Sequence, residues 1–174
     1  MKKITADYIV GFTDGEGCFS LHIIKRRQSP FGLFFTPSFS ISQNTLSVDV
    51  LKEIQTYFDC GFIRQDRKTS KYEIRDFTSL SQKILPFFKK NQLRTQKGQD
   101  FFKFCEICKL LSFQKNKSLS KNSRFWNGPK QHSQYSGVVK LLELAYSMNN
   151  NGANRRKTKT QLLEELEKWK PKNM

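Results

Sequence analysis

Acidic residues are scarce in this chain. Fifteen aspartates and glutamates stand against 31 lysines and arginines, a formal net charge of +16. No acid occurs between Gly17 and Val48, and none between Ile107 and Leu142, where seven lysines and arginines fall. Such an excess repels itself unless a polyanion neutralises it, so nucleic acid is the expected partner and an anionic membrane a distant second. Long apolar runs are also missing. None approaches the roughly 20 residues of a membrane span, which points to a soluble protein with no membrane partner. Met1-Lys2-Lys3-Ile4-Thr5-Ala6-Asp7 lacks the apolar stretch of a signal peptide and brings an acid too early for an obvious organellar presequence. The expected location is intracellular without a targeting signal: cytoplasm, nucleoid or the organelle in which the chain is encoded. Only four cysteines occur, Cys18, Cys60, Cys105 and Cys108, and in an unsecreted chain they read as reduced thiols. Cys105-Glu106-Ile107-Cys108 has no second pair to complete a zinc site, and reads as buried helix cysteines.

What is present suffices for a core. The chain has 174 residues, 37% of them hydrophobic and 16 of them phenylalanine, enough for one domain and too few for two large ones. Thr5 can cap a helix from Ala6 that Gly15 and Gly17 should end. Phe19, Leu21 and Ile23 then alternate with Ser20 and His22, and Leu33, Phe35, Phe39 and Ile41 with Thr36, Ser38, Ser40 and Ser42, two half-buried strands joined by Ser29-Pro30-Phe31-Gly32. Val50, Leu51, Ile54, Tyr57 and Phe58 recur at helical spacing. Residues 62–67 and 71–77 make a second hairpin, Ser79 can cap a helix that Pro86 kinks or ends, and residues 97–113 form a long amphipathic helix. Residues 138–148 and 160–169 are helical again, with Asn149-Asn150-Asn151-Gly152 as a linker. The order predicts an α+β fold, αββαββα, a four-stranded antiparallel sheet with helices on one face. Its expected parts are a core over 1–113, a basic loop over 114–134 and a helical extension over 135–174.

The free face of that sheet carries Ser20, His22, Arg26, Thr36, Ser38, Ser40 and Ser42 from the first hairpin. The second contributes Arg64, Asp66, Lys71, Glu73 and Arg75. Hydroxyls, an imidazole and guanidiniums on a strand surface can meet base edges in a major groove, although half-buried antiparallel sheets often have a merely solvated face. In the basic loop, Arg124 could clamp a DNA backbone, while Trp126 could either join it or pin the loop to the body.

The densest signal is Tyr8-Ile9-Val10-Gly11-Phe12-Thr13-Asp14-Gly15-Glu16-Gly17. Gly11 and Gly15, four apart, leave a flat helix stripe that another backbone can approach. Asp14 and Glu16 sit at the helix C-terminus, where the dipole disfavours negative charge. A hard divalent cation would offset that cost; alternatively, Asp14 accepts turn hydrogen bonds and Glu16 is solvated.

Gly11-Phe12-Thr13-Asp14-Gly15-Glu16-Gly17 resembles the core of the LAGLIDADG motif of homing endonucleases. The element order over residues 5–113 is similar to that family's domain. Phe39-Ser40-Ile41-Ser42-Gln43 resembles the end of its second strand, and Leu93-Arg94-Thr95-Gln96-Lys97 its basic turn. The resemblance implies a site-specific double-strand DNA endonuclease of the single-motif, homodimeric type. Glu16 would bind divalent metal (magnesium, or another such as manganese) with the Gly15 carbonyl as a further ligand, and Asp14 would play a supporting structural role. Gln43 would position the attacking water and Lys97 would stabilise charge at the phosphate, with Gln96 a weaker candidate. The family's arginine near the second helix falls here at Ser47; Arg94 or a lysine of the basic loop could replace it. With one motif per chain, Tyr8, Gly11, Phe12 and Gly15 would form a homodimer seam, and two-fold symmetry implies a roughly palindromic duplex of about 20 base pairs. No small-molecule substrate is expected. A non-cleaving binder on the same fold, an intron-splicing maturase or a regulator, is the alternative; a basic ribosome-associated protein fits the paired acids less well.

Overall fold

A computed structural model describes residues 3–27, 29–112, 135–153 and 155–168. The basic loop, with Arg124 and Trp126, lies outside the described residues. Helix α1 (Ala6–Glu16) starts where Thr5 Oγ1 accepts the Tyr8 N–H at 3.3 Å. Strand β1 (Gly17–Lys25) follows without a turn, then a 3-10 turn (Pro30–Gly32) and β2 (Leu33–Asn44). A second 3-10 turn (Thr45–Ser47) leads into α2 (Val48–Phe58), and β3 (Phe62–Asp66) and β4 (Thr69–Ile74) form the second hairpin. Helical segments α3 (Phe77–Ser79), a π turn (Leu80–Ile84) and α4 (Leu85–Lys90) run on to α5 (Gln96–Ser112). Helices α6 (Tyr135–Ser147) and α7 (Lys159–Glu167) complete the order. The strands form one sheet in the order β1-β2-β4-β3. Together with the helices this is the expected α+β architecture.

Several local expectations are revised. Gly15 lies inside α1 rather than ending it, and the capping Gly17 is extended (φ −75°, ψ 156°) rather than left-handed. A glycine is needed there for space: a Cβ would lie 2.4 Å from Thr13 Cγ2 and 2.6 Å from the Thr13 carbonyl oxygen. Strand β4 begins at Thr69 and ends at Ile74, so Phe77 belongs to the next helix. The cap there is Asp76, whose Oδ2 accepts the Ser79 N–H at 2.7 Å, and not Ser79. Pro86 does not end the helical run but stands in the first turn of α4. The preceding π turn, in which the Leu85 N–H reaches the Leu80 carbonyl, accommodates the residue that lacks a donor.

The chain divides into two compact units, residues 1–20 with 37–102, and residues 21–36 with 103–174. The first is built on a phenylalanine cluster: the Phe19 ring lies 5.1 Å from Phe39, 5.5 Å from Phe88 and 5.2 Å from Phe101. Each such pair adds roughly 0.5–1.5 kcal/mol to area burial. Ile9, Leu51, Ile54, Tyr72 and Leu80 close the core around it. In the second unit, Val138, Leu142 and Ala145 of α6, Leu162 and Leu166 of α7, and Phe104, Ile107 and Cys108 of α5 are buried. Arg155 donates to the carbonyls of Leu21 and Ala145 (both 3.1 Å) and lies over the Tyr146 ring. The expected linker is a run of four left-handed residues, Asn149 to Gly152, with the Gly152 N–H capping Met148. Among the described residues no helix is long and apolar enough to cross a membrane.

Candidate active site and nucleic-acid face

The end of α1 meets the turn before α5. Asp14 accepts three hydrogen bonds from that turn: from the Arg94 N–H (2.9 Å), the Thr95 N–H (3.2 Å) and the Thr95 hydroxyl (2.8 Å). Partial burial works to raise the Asp14 pKa, but these donors and the Lys97 charge outweigh it and hold the carboxyl below its ordinary value. The Lys97 ammonium donates to the carbonyl oxygens of Asp14 (3.0 Å) and Gly15 (2.8 Å). Those carbonyls end a helix, where unpaired oxygens carry partial negative charge, so the site already receives a cation. Glu16, the last helical residue, is exposed beside them. Asp14, Gly15 and Lys97 are therefore brought together from opposite ends of the first unit's sequence.

Gln43 stands near the end of β2, where its Oε1 accepts the Asn44 N–H at 2.7 Å. It pairs with Ser70 on the strand face shared with Ile41 and Tyr72. Gln96 bonds Gln99, and the Ser47 and Arg94 side chains are exposed. Thr95 had no role assigned from the sequence. Its position in the basic turn was visible, but nothing in the sequence shows that its N–H and hydroxyl converge on Asp14.

Opposed residues of an antiparallel pair share a face. The register places Ser40, Glu73 and Phe62 in one row, Ser42, Lys71 and Arg64 in the next, and Asn44, Thr69 and Asp66 in a third. Ser42, Arg64, Asp66, Lys71 and Thr69, with Arg67 and Lys68 at the hairpin tip, line a concavity of about 760 Å³. Arg67 and Lys68 were missed because a turn interrupts the period by which strand faces are read.

Three expected surface contacts are corrected. Ser38, Ser40 and Glu73 are 1%, 2% and 0% exposed. Ser38 bonds the Ser20 hydroxyl at 2.9 Å, so those two side chains satisfy each other. Ser40 is short and faces Glu73 across the strands, and Glu73 is ion-paired with Arg64 (3.5 Å) and Arg75 (3.0 Å). Alternation indicates the face of a side chain but not its depth. In the second unit His22, Arg26 and Thr36 are partly exposed, and the Arg26 guanidinium lies over the Phe34 ring at 5.1 Å.

The α1 stripe is open. Tyr8 is 50% exposed and stacks on Phe12 at 5.8 Å, and a Cβ added at Gly11 or Gly15 would meet nothing within 4 Å. None of the four cysteines is in a disulfide, and no group of three or more His, Cys, Asp and Glu residues that could hold a metal occurs among the described residues.

A family model described as LAGLIDADG endonuclease matches residues 9–108. "Probable intron-encoded endonuclease 2" of Neurospora crassa is 35% identical over 149 residues, 84% of this chain and 29% of that protein. "Probable intron-encoded DNA endonuclease 1" of Mycosarcoma maydis is 36% identical over 97 residues, 55% of this chain and 34% of that protein. The chain thus spans about a third of the length of these curated relatives. Among solved structures, the homing endonuclease I-TnaI superposes with a TM-score of 0.76 at 28% identity, covering 97% of this chain and 100% of that one. I-SmaMI, bound to uncleaved DNA target in the presence of calcium ions, superposes at 0.72 with 25% identity, covering 90% of this chain and 50% of that one. The motif helix, the sheet behind it and these matches place one conclusion beyond the fold: the chain belongs to the LAGLIDADG endonuclease family.

Proposed function

We propose that the chain is a site-specific double-strand DNA endonuclease that acts as a homodimer with a divalent metal. The observation that carries this reading is the joint of Asp14, Gly15 and Lys97, with Glu16 exposed at the same helix end. Carbonyl and carboxylate oxygens there are of the kind that binds a hard cation, and the Lys97 ammonium donating to the Asp14 and Gly15 carbonyls supports this reading. Glu16 and the Gly15 carbonyl would hold the metal. When bound, it would supply charge neutralisation at phosphorus and an acidified water.

The protein's own residues do the rest. Asp14 fixes the turn that carries Lys97, and Lys97 places a cation beside the phosphate. Gln43 orients the attacking water. One chain offers a single exposed carboxylate at this helix end, so a second copy packed along Tyr8, Gly11, Phe12 and Gly15 completes the arrangement for two strands. The full-length match to I-TnaI and the half-length match to I-SmaMI fit such a unit used once per chain or within a longer chain. Double-stranded DNA is the partner, met by the basic concavity and the strands. Both would enclose a roughly palindromic site of about 20 base pairs.

The test is cleavage of a duplex library by wild type and Glu16→Gln, with magnesium or manganese and then with EDTA. Metal-dependent double-strand cutting by wild type alone is expected, with cutting by Glu16→Gln reduced at least a hundredfold while selected duplexes remain bound, on the scale of losing one charge-stabilising group. Tight binding without cutting under any metal would favour a non-cleaving binder instead.

A further inference from the structure

Glu73 has no part in the phosphodiester chemistry, yet its setting is unusual for a carboxylate. It lies on β4 opposite Ser40 and Phe62, on the strand face that carries Arg64 and Lys71. Its side chain is 0% exposed, while those of Arg64 and Arg75, its ion-pair partners, are 53% and 45% exposed. One buried oxygen, Oε2, serves both: Arg75 Nη2 lies 3.0 Å away and Arg64 Nε 3.5 Å away. Stability alone does not account for this, because an apolar residue of similar size commonly serves a buried position as well as an ion pair does.

Arginine reads guanine by setting its planar fork against two acceptors at once. A free arginine must give up rotamer freedom to do so. A buried carboxylate ion-paired with both guanidiniums lowers that cost in advance by restricting where they sit. Arg64 approaches the carboxylate with Nε and Arg75 with one Nη, as ion-pair contacts on a buried oxygen rather than as aligned hydrogen bonds. With Lys71 on the same face, the carboxylate also relieves repulsion among three cations.

We infer that Glu73 is a specificity-determining positioning residue, a buried carboxylate that presets Arg64 and Arg75 to read base edges. The inference rests on the reading of the chain as a sequence-specific DNA-binding enzyme. Glu73 touches no DNA in this scheme and acts through the two arginines.

The experiment is selection of bound duplexes from a randomised library in calcium, for wild type, Glu73→Gln, Glu73→Asp, Arg64→Ala, Arg75→Ala and the Glu73→Gln/Arg64→Ala/Arg75→Ala triple variant. Thermal midpoints identify which variants fold, and the two conservative substitutions at position 73 guard against loss of the fold. The positions that lose preference in the arginine variants should lose about tenfold in Glu73→Gln, the scale of one bidentate base contact, with the remaining profile kept. The triple variant should lose no more than the arginine substitutions cause together. An unchanged profile in a folded Glu73→Gln, or one relaxed evenly at all positions, overturns the inference and leaves the enzyme reading intact. A wild type with no preferred duplex overturns both.

Discussion

Asp14 shows how much one side chain can organise. It binds donors 80 and 81 positions away in sequence, and so ties the turn that carries Lys97 to the end of α1. Because its folded pKa is depressed, its stabilisation is complete above the ordinary aspartate range and is lost as pH falls through the lowered value. Asp14→Asn should therefore lower Tm at neutral pH, by a loss of about 1–2 kcal/mol for hydrogen bonds to a charged acceptor. The gap to wild type should begin to narrow as pH falls below about 4 and go on narrowing as the pH approaches the lowered value. Thermal unfolding of both proteins from pH 7 to pH 3 checks this, and a gap constant across that range would contradict it. The sequence shows that acids stand where a helix dipole disfavours them, which is enough to single out Asp14 and Glu16. It does not show Arg94 and Thr95 as partners, because convergence of two backbone N–H groups is a product of tertiary packing. Ser38, Ser40 and Glu73 were misread for a related reason: longer neighbours and paired hydroxyls decide depth, and period alone cannot.

Among the elements, the three glycines of α1 and its cap have different physical roles. A Cβ at Gly17 would overlap Thr13, whereas Gly11 and Gly15 face open space. Gly17→Ala should lower Tm, by roughly 1–3 kcal/mol of overpacking. Gly11→Ala and Gly15→Ala should leave the single chain as stable or more so, since alanine is favoured over glycine by about 1 kcal/mol in a helix. If α1 is the dimer seam, those two variants should weaken self-association at least tenfold by sedimentation, with Tm retained. Loss of Tm without loss of association would reverse the assignment. The helix and both hairpins were legible from period and turn residues. The π turn before Pro86 was not, because a local sequence pattern shows the missing donor but not how neighbouring residues rearrange around it.

At the scale of the whole molecule, the +16 charge becomes useful where it is concentrated. Arg64, Arg67, Lys68 and Lys71 line one concavity with Asp66 as the lone acid among its lining residues. Affinity for duplex DNA should fall linearly in log–log form with salt, with a slope near −0.9 per phosphate neutralised. Arg67→Ala and Lys68→Ala should each weaken binding to all sequences alike and reduce that slope by about one; titrations at several ionic strengths measure it. A shift in base preference would instead make them reading residues. Net charge suggests nucleic acid as the class of partner, while where that charge is concentrated becomes visible only in the fold. The passage from α1 into β1 without a loop carries one more consequence. Adding or removing a single residue between Glu16 and Phe19 would exchange the two faces of the strand, turning Phe19 and Leu21 outward and Ser20 and His22 inward. On the proposed reading, a lineage of such chains is therefore free to change its target by swapping side chains along the strands, yet barred from changing length at this joint, and its history should be written there in substitutions rather than insertions.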